Sequence, residues 1–377
     1  MGARALPLLA ASALALAACG GGGDSPQVPV APLTTSTATS TPEPSPRSRP
    51  RAPVDRLTLR QQVGQVLVLA FAGTQAPDYV LRALREGRVA GVILFGGNVS
   101  GPPQVRALTA SLQRASGRRA LVMTDQEGGQ FHILPWAAPS DGEADQTTPA
   151  QAAAQARAAA RDLRAVGVNV TLAPVADVGR PGSALAARTF PGGARQVASS
   201  VAAAVRAYRA GGVAATAKHF PGLGAATSNT DEAPASVPLA AADLEPFKAA
   251  IAAGVPLVMA SHALYPNVDG RHLASQSPAL LRGLLRGRLR YRGAVITDSM
   301  EAQAVTSRSS VETASQRALL AGADLILMTG DGSFRPVSLS LLARARRDRA
   351  IRARVHAAAA QVLALKRSLG LSPPAGR

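Results

Sequence analysis

The stretch GAVITDSM, residues 293–300, shows most clearly the pattern from which the fold of this chain can be predicted. Its apolar residues follow one another without the polar alternation of a half-exposed strand, and the run ends in Thr297, Asp298 and Ser299. Near-continuous apolar runs of this kind are typical of parallel strands that are buried on both faces. The stretch therefore predicts a buried strand with an ionisable side chain at its carboxyl end.

Similar runs recur along the chain. They are GQVLVLAFAG (64–73), VAGVILFGG (89–97), RALVMTDQEGG (119–129), VNVTLAPVADV (168–178), VAATAKHFPG (213–222), VPLVMASHALYP (255–266) and GADLILMTG (322–330). Most gaps between them have helical patterns, and RVHAAAAQVLALKRSLGL (354–371) is expected to form the last helix. Eight β-α units predict an α/β fold, a single (β/α)8 TIM barrel over residues 55–370. A doubly wound open sheet is the alternative, although no G-x-G-x-x-G fingerprint follows the first strand.

The N-terminal region has a different composition. Arg4 gives it a short positive start, and the apolar run from Ala5 to Ala18 is shorter than a membrane span requires. Leu-Ala-Ala-Cys, ending at Cys19, resembles a bacterial lipobox, in which the cysteine becomes the lipidated first residue after cleavage. We therefore predict a lipoprotein signal peptide over residues 1–18 and a Pro/Ser/Thr-rich tether over residues 19–54. An ordinary secretory signal with an incidental cysteine is the alternative.

These features predict an exported protein. Acylation of Cys19 would hold it on the extracytoplasmic face of a membrane, since more than one acyl chain gives stable anchoring. Because Cys19 is the one cysteine of the chain, no intrachain disulfide is possible.

The chain is strongly basic, with a formal net charge of +18. The basic residues are concentrated around Arg47–Arg60 and in Arg344–His356. No recognition-helix pattern, zinc spacing or aromatic-basic interleaving accompanies them, so we do not expect nucleic acid as a partner. A solvated helix face and attraction to anionic lipids or wall polymers both stay open. The chain has 41 Lys and Arg, and because only three are lysines, a lysine inside a motif is informative.

Ionisable residues follow five of the predicted strands. They are Asp125 after the third strand, Asp177 and Arg188 after the fourth, Lys218 and His219 after the fifth, His262 after the sixth and Asp298 after the seventh. Active sites of TIM barrels lie at the carboxyl ends of the strands, so this rim predicts a site for a polar ligand. Structural roles are the alternatives for single residues: a helix cap for Asp298, a loop brace for Asp177 and a buried structural histidine for His262. No metal-ligand spacing is present, and we expect no metal.

Several motifs together resemble the N-terminal domain of glycoside hydrolase family 3, and in particular its single-domain bacterial β-N-acetylhexosaminidases. They are DQEGG (125–129), ARTF (187–190), KHFPG (218–222), SQSPALLRGLLRGRLRYRGAVITDSMEAQAV (275–305) and AGADLILM (321–328). The resemblance covers about residues 57–369, in order and with barrel spacing. It implies a hydrolase that removes terminal β-linked N-acetylhexosamine from cell-wall-derived glycans with retention, without a cofactor. A β-glucosidase-type hydrolase of other sugars is an alternative, and we expect a monomer.

The resemblance also implies residue roles. Asp298 matches the nucleophile that forms a covalent glycosyl-aspartate. Asp125, Arg188, Lys218 and His219 match positions that hold the sugar hydroxyls, for which charged groups make strong hydrogen bonds.

The loop after KHFPG departs from the family pattern. Close relatives carry Asp-Ser-His there, with the histidine as general acid/base, whereas this chain has Asn229, Thr230 and Asp231. We predict that Asp231 is the acid/base and that Asn229 orients it or contacts the sugar. The alternatives are that Glu232 does this work, or that proton transfer is lost and the protein is a non-catalytic glycan-binding lipoprotein.

A second departure follows DQEGG. Relatives continue with an arginine-bearing segment that grips the substrate end, whereas this chain reads Gln130, Phe131, His132 and Ile133. We therefore expect a charge-reading contact to be lost, which leaves the natural polymer open.

Overall fold

The computed structural model describes residues 52–330 and 332–371, so the predicted signal peptide and all but the end of the predicted tether lie outside the described residues. In this part of the chain eight parallel strands form one sheet. They are β1 (Leu67–Leu69), β2 (Gly91–Leu94), β3 (Leu121–Thr124), β4 (Val170–Thr171), β5 (Thr216–Phe220), β6 (Leu257–Ala260), β7 (Ala294–Ser299) and β8 (Leu325–Met328). Each strand lies inside one of the predicted apolar runs.

The sheet closes on itself. Its strand order is β4-β3-β2-β1-β8-β7-β6-β5, so that β1 pairs with both β2 and β8. Parallel bridges between Val170 and Ala214 and between Val175 and Lys218 connect β4 with β5. The predicted TIM barrel is confirmed, and the open-sheet alternative is wrong because these pairings leave neither end of the sheet free.

Helices surround the barrel. They are α1 (Leu59–Gly64), α2 (Asp78–Arg85), α3 (Pro102–Ser116), α4 (Pro149–Ala165), α5 (Ala194–Ala210), α6 (Glu245–Ala252), α7 (Pro266–Asp269), α8 (Gln303–Thr306), α9 (Val311–Ala321), α10 (Phe334–Arg347) and α11 (Arg349–Ser368), with a π-helix over Ala279–Arg288. A short antiparallel hairpin, Gln126–Gly128 with Phe131–His132, follows β3. In the described part of the chain, no helix has the length and hydropathy needed to span a bilayer.

The sequence explains where the helices begin. Thr148 starts α4 with a capping box, because its side chain accepts the N–H of Gln151 while the Gln151 side chain accepts the N–H of Thr148. Pro149 at the first helical position suits a site where an N–H has no helical partner. Asp348 caps α11 by accepting the N–H groups of Ala350 and Ile351.

The interior of the barrel is a separate apolar cluster from the shell between strands and helices. Val68, Ile93, Met123 and Ile296 belong to this cluster, from strands β1, β2, β3 and β7, and all of them are buried. Val362 and Leu365 of α11 join this cluster at the amino-terminal ends of the strands. The barrel is therefore filled at that end, and the opposite, carboxyl end is left for the polar rim.

Candidate active site

A cavity of about 560 Å³ opens at the carboxyl ends of the strands. It contains every barrel residue that the sequence predicted as a site residue: Asp125, Arg188, Lys218, His219, Asn229, Asp231 and Asp298. These residues come from strand ends and loops that are far apart in the chain. Asp177 and His262, which also follow strand ends, do not line the cavity and lie behind it, fully buried.

Asp298 stands near the end of β7 and faces the cavity. Its Oδ1 accepts the N–H of Ser299 at 2.8 Å, and its Oδ2 lies 4.0 Å from Nε2 of His219. Burial acts to raise the pKa of Asp298, but the imidazoles of His219 and His262 and the Ser299 N–H outweigh burial, so the pKa is lowered. The side chain is thus held as a carboxylate. The helix-cap alternative for Asp298 is wrong, because α8 begins only at Gln303 with Ala302 as its N-cap.

His219 is held in place by Asp177. The Asp177 carboxylate lies 2.7 Å from Nδ1 of His219 and accepts the backbone N–H groups of His219 and Leu223. Because Nδ1 is engaged in this way, Nε2 is the ring atom that faces Asp298. The brace expected for Asp177 is therefore what the structure contains, and what it braces is an imidazole of the site.

A buried ion network forms one wall of the cavity. Nζ of Lys218 lies 2.6 Å from Oδ1 of Asp125 and 2.6 Å from Oε1 of Glu127. Arg188 grips the same Glu127 with two hydrogen bonds of 2.9 and 2.7 Å, and its guanidinium lies over the ring of Phe131. The Lys218 side chain is only 2% exposed whereas that of Asp125 is 30% exposed, so Asp125 presents the network to a ligand.

Glu127 was not identified from the sequence as a site residue, although it stands in DQEGG. Burial acts to raise its pKa, but Lys218 and Arg188 lower it to about 2. Glu143, also missed, is buried near it and accepts the N–H of Val175, and burial together with the charge of Glu127 raises its pKa. Side chains two residues apart in an extended segment point to the same face, so the position of Glu127 two residues after Asp125 could have identified it as a site residue.

The loop that carries Asp231 is tied to the element that follows β7. The carbonyl groups of Thr230 and Asp231 accept the N–H groups of Ala304 and Gln303, both in α8. The Asn229 side chain accepts the N–H of Asp231 at 3.1 Å, so Asn229 shapes the turn that presents Asp231 to the cavity.

Asp231 and Glu232 occupy different positions. Asp231 lines the cavity, whereas Glu232 is absent from its lining. Desolvation by the surrounding walls and repulsion by Asp298 raise the pKa of Asp231 to about 6, against the opposing effect of His219 and Arg188. Asp231 is nevertheless exposed at the mouth of the cavity, and solvent there screens part of this repulsion and weakens the desolvation that raises its pKa. One cavity thus contains two carboxyl groups whose pKa values are displaced in opposite directions.

The segment after DQEGG forms the outer part of the cavity. Gln130, Phe131, His132 and Ile133 all line it. The nearby cations are already engaged, since Arg188 is paired with Glu127 and Lys218 with Asp125 and Glu127. In the part of the chain that the structure describes, no group of three or more His, Cys, Asp and Glu side chains is arranged to hold a metal ion.

Comparisons with known proteins identify the family of this chain. The family model for the glycosyl hydrolase family 3 N-terminal domain matches residues 58–365. A β-hexosaminidase of Stenotrophomonas maltophilia (strain R551-3) is 37% identical over 279 residues, which are 70% of this chain and 83% of that protein. An uncharacterized secreted glycosyl hydrolase of Arthroderma benhamiae is 35% identical over 298 residues, 74% of this chain and 84% of that protein.

Solved structures have the same barrel. A family 3 β-N-acetylglucosaminidase from Paenibacillus sp. str. FPU-7 superposes with a TM-score of 0.80 at 34% identity, over 85% of this chain and 64% of that chain. A β-N-acetylhexosaminidase from Beutenbergia cavernae DSM 12333 gives a TM-score of 0.77 at 34% identity, over 82% of this chain and 98% of that chain. This chain thus spans nearly all of the second protein and about two thirds of the first.

Proposed function

The chain belongs to glycosyl hydrolase family 3, and from that premise we propose that it is a retaining exo-glycosidase that releases terminal β-linked N-acetylhexosamine from cell-wall-derived glycans. The observation that carries the proposal is the pair of carboxyl groups in one cavity, Asp298 with a lowered pKa and Asp231 with a raised one. A retaining glycosidase needs one ionised carboxylate and one protonated carboxylic acid. Relatives named as β-hexosaminidases and β-N-acetylglucosaminidases support an N-acetylhexosamine substrate.

Asp298 is the proposed nucleophile. Its carboxylate attacks the anomeric carbon, the bond to the leaving oxygen breaks, and a covalent glycosyl-aspartate forms. A strand-end position and the Ser299 N–H hold this carboxylate in one orientation. His219, 4.0 Å away, stabilises the negative charge between turnovers.

Asp231 is the proposed general acid and base. In the first step it gives its proton to the leaving oxygen, and in the second it takes a proton from the water that attacks the anomeric carbon. A pKa near 6 suits both steps, because the group is protonated in the free enzyme at mildly acidic pH and ionised after the first transfer. Glu232 is the weaker candidate because it does not line the cavity.

The remaining residues form the proposed clamp for the terminal sugar. Asp125 accepts hydrogen bonds from the sugar hydroxyls. Lys218 holds Asp125 by a direct ion pair, and Arg188 holds Lys218 in place through their shared partner Glu127. His219 directs its Nε2 atom into the cavity, where it can hydrogen-bond to the sugar, and Asn229 keeps Asp231 at the mouth of the cavity. Preorganised charged groups of this kind position a sugar without reorganisation cost at the moment of reaction.

The leaving group is proposed to be neutral. The outer cavity is lined by Gln130, Phe131 and His132, while the cations of the wall are paired with carboxylates. An aromatic and amide surface accommodates a neutral sugar better than an anionic one.

The proposed location is outside the cell. A secreted relative supports export. We place a lipid anchor at Cys19, a tether up to about residue 54 and a monomeric barrel beyond it. Labelling of cells with a fatty-acid probe, compared between the native chain and Cys19→Ser, tests the anchor. Equal labelling of both would leave only an ordinary secretory signal.

A panel of aryl glycosides tests the function itself. The aryl N-acetyl-β-glucosaminide should be cleaved far faster than the aryl β-glucoside. A 2-fluoro glycosyl donor should add one sugar mass to a peptide that contains Asp298. A protein that binds the sugars but hydrolyses none of them, or a label on another residue, would contradict the proposal.

A further inference from the structure

A second, smaller cavity lies at the amino-terminal ends of the strands, on the side of the barrel opposite to the active site. It has a volume of about 40 Å³, above the roughly 10–15 Å³ that one water molecule needs. Three cations line it, Arg85, Arg119 and Lys366, together with the amides of Gln61 and Gln65 and several apolar side chains. None of its lining residues is an aspartate or a glutamate.

Lys366 is the central group of this cavity. It stands on α11, is only 3% exposed, and donates one hydrogen bond of 2.8 Å from Nζ to Oε1 of Gln65. An ammonium group has three donors, and burying its charge is costly unless it is paired. Burial and the charge of Arg119 lower the pKa of Lys366 to about 7. The ammonium therefore lacks a counter-charge from the residues around it.

Arg119 has the same deficit. Its guanidinium is half-buried next to Lys366 and forms no ion pair or side-chain hydrogen bond with any residue of the described chain. Other buried cations of the protein do have carboxylate partners: Lys218 has Asp125 and Glu127, and Arg188 has Glu127. Lys366 and Arg119 therefore face the same enclosed cavity, and no carboxylate of the described chain lines that cavity.

We propose that this cavity binds a small inorganic anion, of halide or phosphate size, between Lys366 and Arg119. The anion supplies the missing counter-charge and accepts hydrogen bonds from the side-chain N–H groups of Lys366 and Arg119 that have no other partner among the described residues. Because Lys366 belongs to α11, Gln65 follows α1 and Arg119 precedes β3, the anion also links the last helix to the first part of the barrel. This inference does not depend on the proposed hydrolase mechanism.

Thermal unfolding at pH 6 tests the proposal. Sodium bromide and sodium phosphate are each compared with sodium gluconate at equal ionic strength, because gluconate is too large for the cavity. At least one of the two small anions should raise Tm by about 3 °C or more over gluconate. Lys366→Met should lose this increment, whereas Lys248→Met, which removes an exposed lysine paired with Glu245, should keep it. A response to bromide alone identifies a halide site, and a response to phosphate alone identifies an oxyanion site.

Crystals of the native protein soaked in bromide, and others grown with phosphate, give a direct readout that needs no variant. An anomalous bromide peak, or tetrahedral density, within hydrogen-bond distance of Nζ of Lys366 is expected. If Lys366→Met does not fold, Arg119→Gln takes its place, since this side chain is only half-buried. The absence of both densities, or an equal Tm increment in Lys366→Met and the native protein, would overturn the proposal.

Discussion

Replacement of Asp231 by alanine separates the two chemical steps of the proposed mechanism. Asp231 lines the cavity and its pKa is raised to about 6, which is why we propose it as the proton donor of the first step. General acid catalysis by a positioned group contributes about 10²–10⁴-fold. We expect Asp231→Ala to lower kcat/KM by this factor for substrates with a sugar leaving group. A dinitrophenyl leaving group needs no proton, so its kcat/KM should fall by less than about tenfold.

The pH profile gives the second readout. In the proposed mechanism the acid form of Asp231 is the active form of the free enzyme, so kcat/KM should fall as pH rises through about 6. Above this point the loss should approach about tenfold per pH unit, because the protonated fraction falls by that factor. Asp298, whose pKa is lowered, is already ionised across this range and adds no limb there. Asp231→Ala should therefore flatten the alkaline limb.

Glu232→Gln is the matched control for this experiment. Glu232 is adjacent in the chain and exposed but does not line the cavity, so its replacement should leave both readouts unchanged. Full activity of Asp231→Ala on a disaccharide, with the alkaline limb intact, would refute the assignment. If Glu232→Gln instead gave the leaving-group dependence, proton transfer would belong to Glu232.

Three further predictions concern the residues that support the site. Glu127→Gln removes the carboxylate partner of Arg188 and leaves Lys218 with Asp125 alone, so the free energy of unfolding in urea should fall by about 3–5 kcal/mol. Glu245→Gln, at an exposed pair with Lys248, should cost less than about 1 kcal/mol. Because the pKa of Glu127 is lowered from 4.5 to about 2, its ionised form stabilises the fold fully above pH 4.5, and this stabilisation is lost as pH falls towards 2. The free energies of unfolding of the native protein and Glu127→Gln should therefore differ most above pH 4.5 and converge as pH falls towards 2. Asp177→Asn releases His219, so kcat/KM should fall by about a hundredfold while Tm changes little; an unchanged rate would show that the brace is only structural. Ile296→Ala, in the barrel interior, should lower the free energy of unfolding by about 2–5 kcal/mol without a change in KM; a loss below 1 kcal/mol would mean that the interior collapses around the gap.

The barrel could be predicted because its signals are local. Each strand is a run of apolar residues that continues without polar interruption, and such a run needs no knowledge of its partner to be recognised. The strand lengths were less predictable. The run VNVTLAPVADV contributes only Val170–Thr171 as a continuous strand. Its later residues pair with β5 through the isolated bridge between Val175 and Lys218, and they carry Asp177 to the back of the cavity.

The site was predicted in part. Strand ends that meet at one rim identified Asp125, Lys218, His219 and Asp298 as neighbours before any contact was known. Glu127 was missed because its importance comes from Arg188, which lies 61 residues away in the chain, and from Lys218. A carboxylate in a strand-end motif does not reveal whether it faces solvent, a sugar or two buried cations.

The order of apolar runs and motifs was enough to predict a TIM barrel with Asp298 on its polar rim. It was also enough to predict an acid where the family pattern that the chain resembles has a histidine. Apolar runs and the order of motifs are properties of neighbouring residues in the chain, so they can be recognised without the tertiary structure. The folded chain was needed to see that Asp231 lines the cavity whereas Glu232 does not, and that the pKa values of Asp231 and Asp298 are displaced in opposite directions. The reason is physical. A pKa depends on burial and on charges within a few ångströms, and those neighbours are brought together by the closed sheet and not by adjacency in the chain.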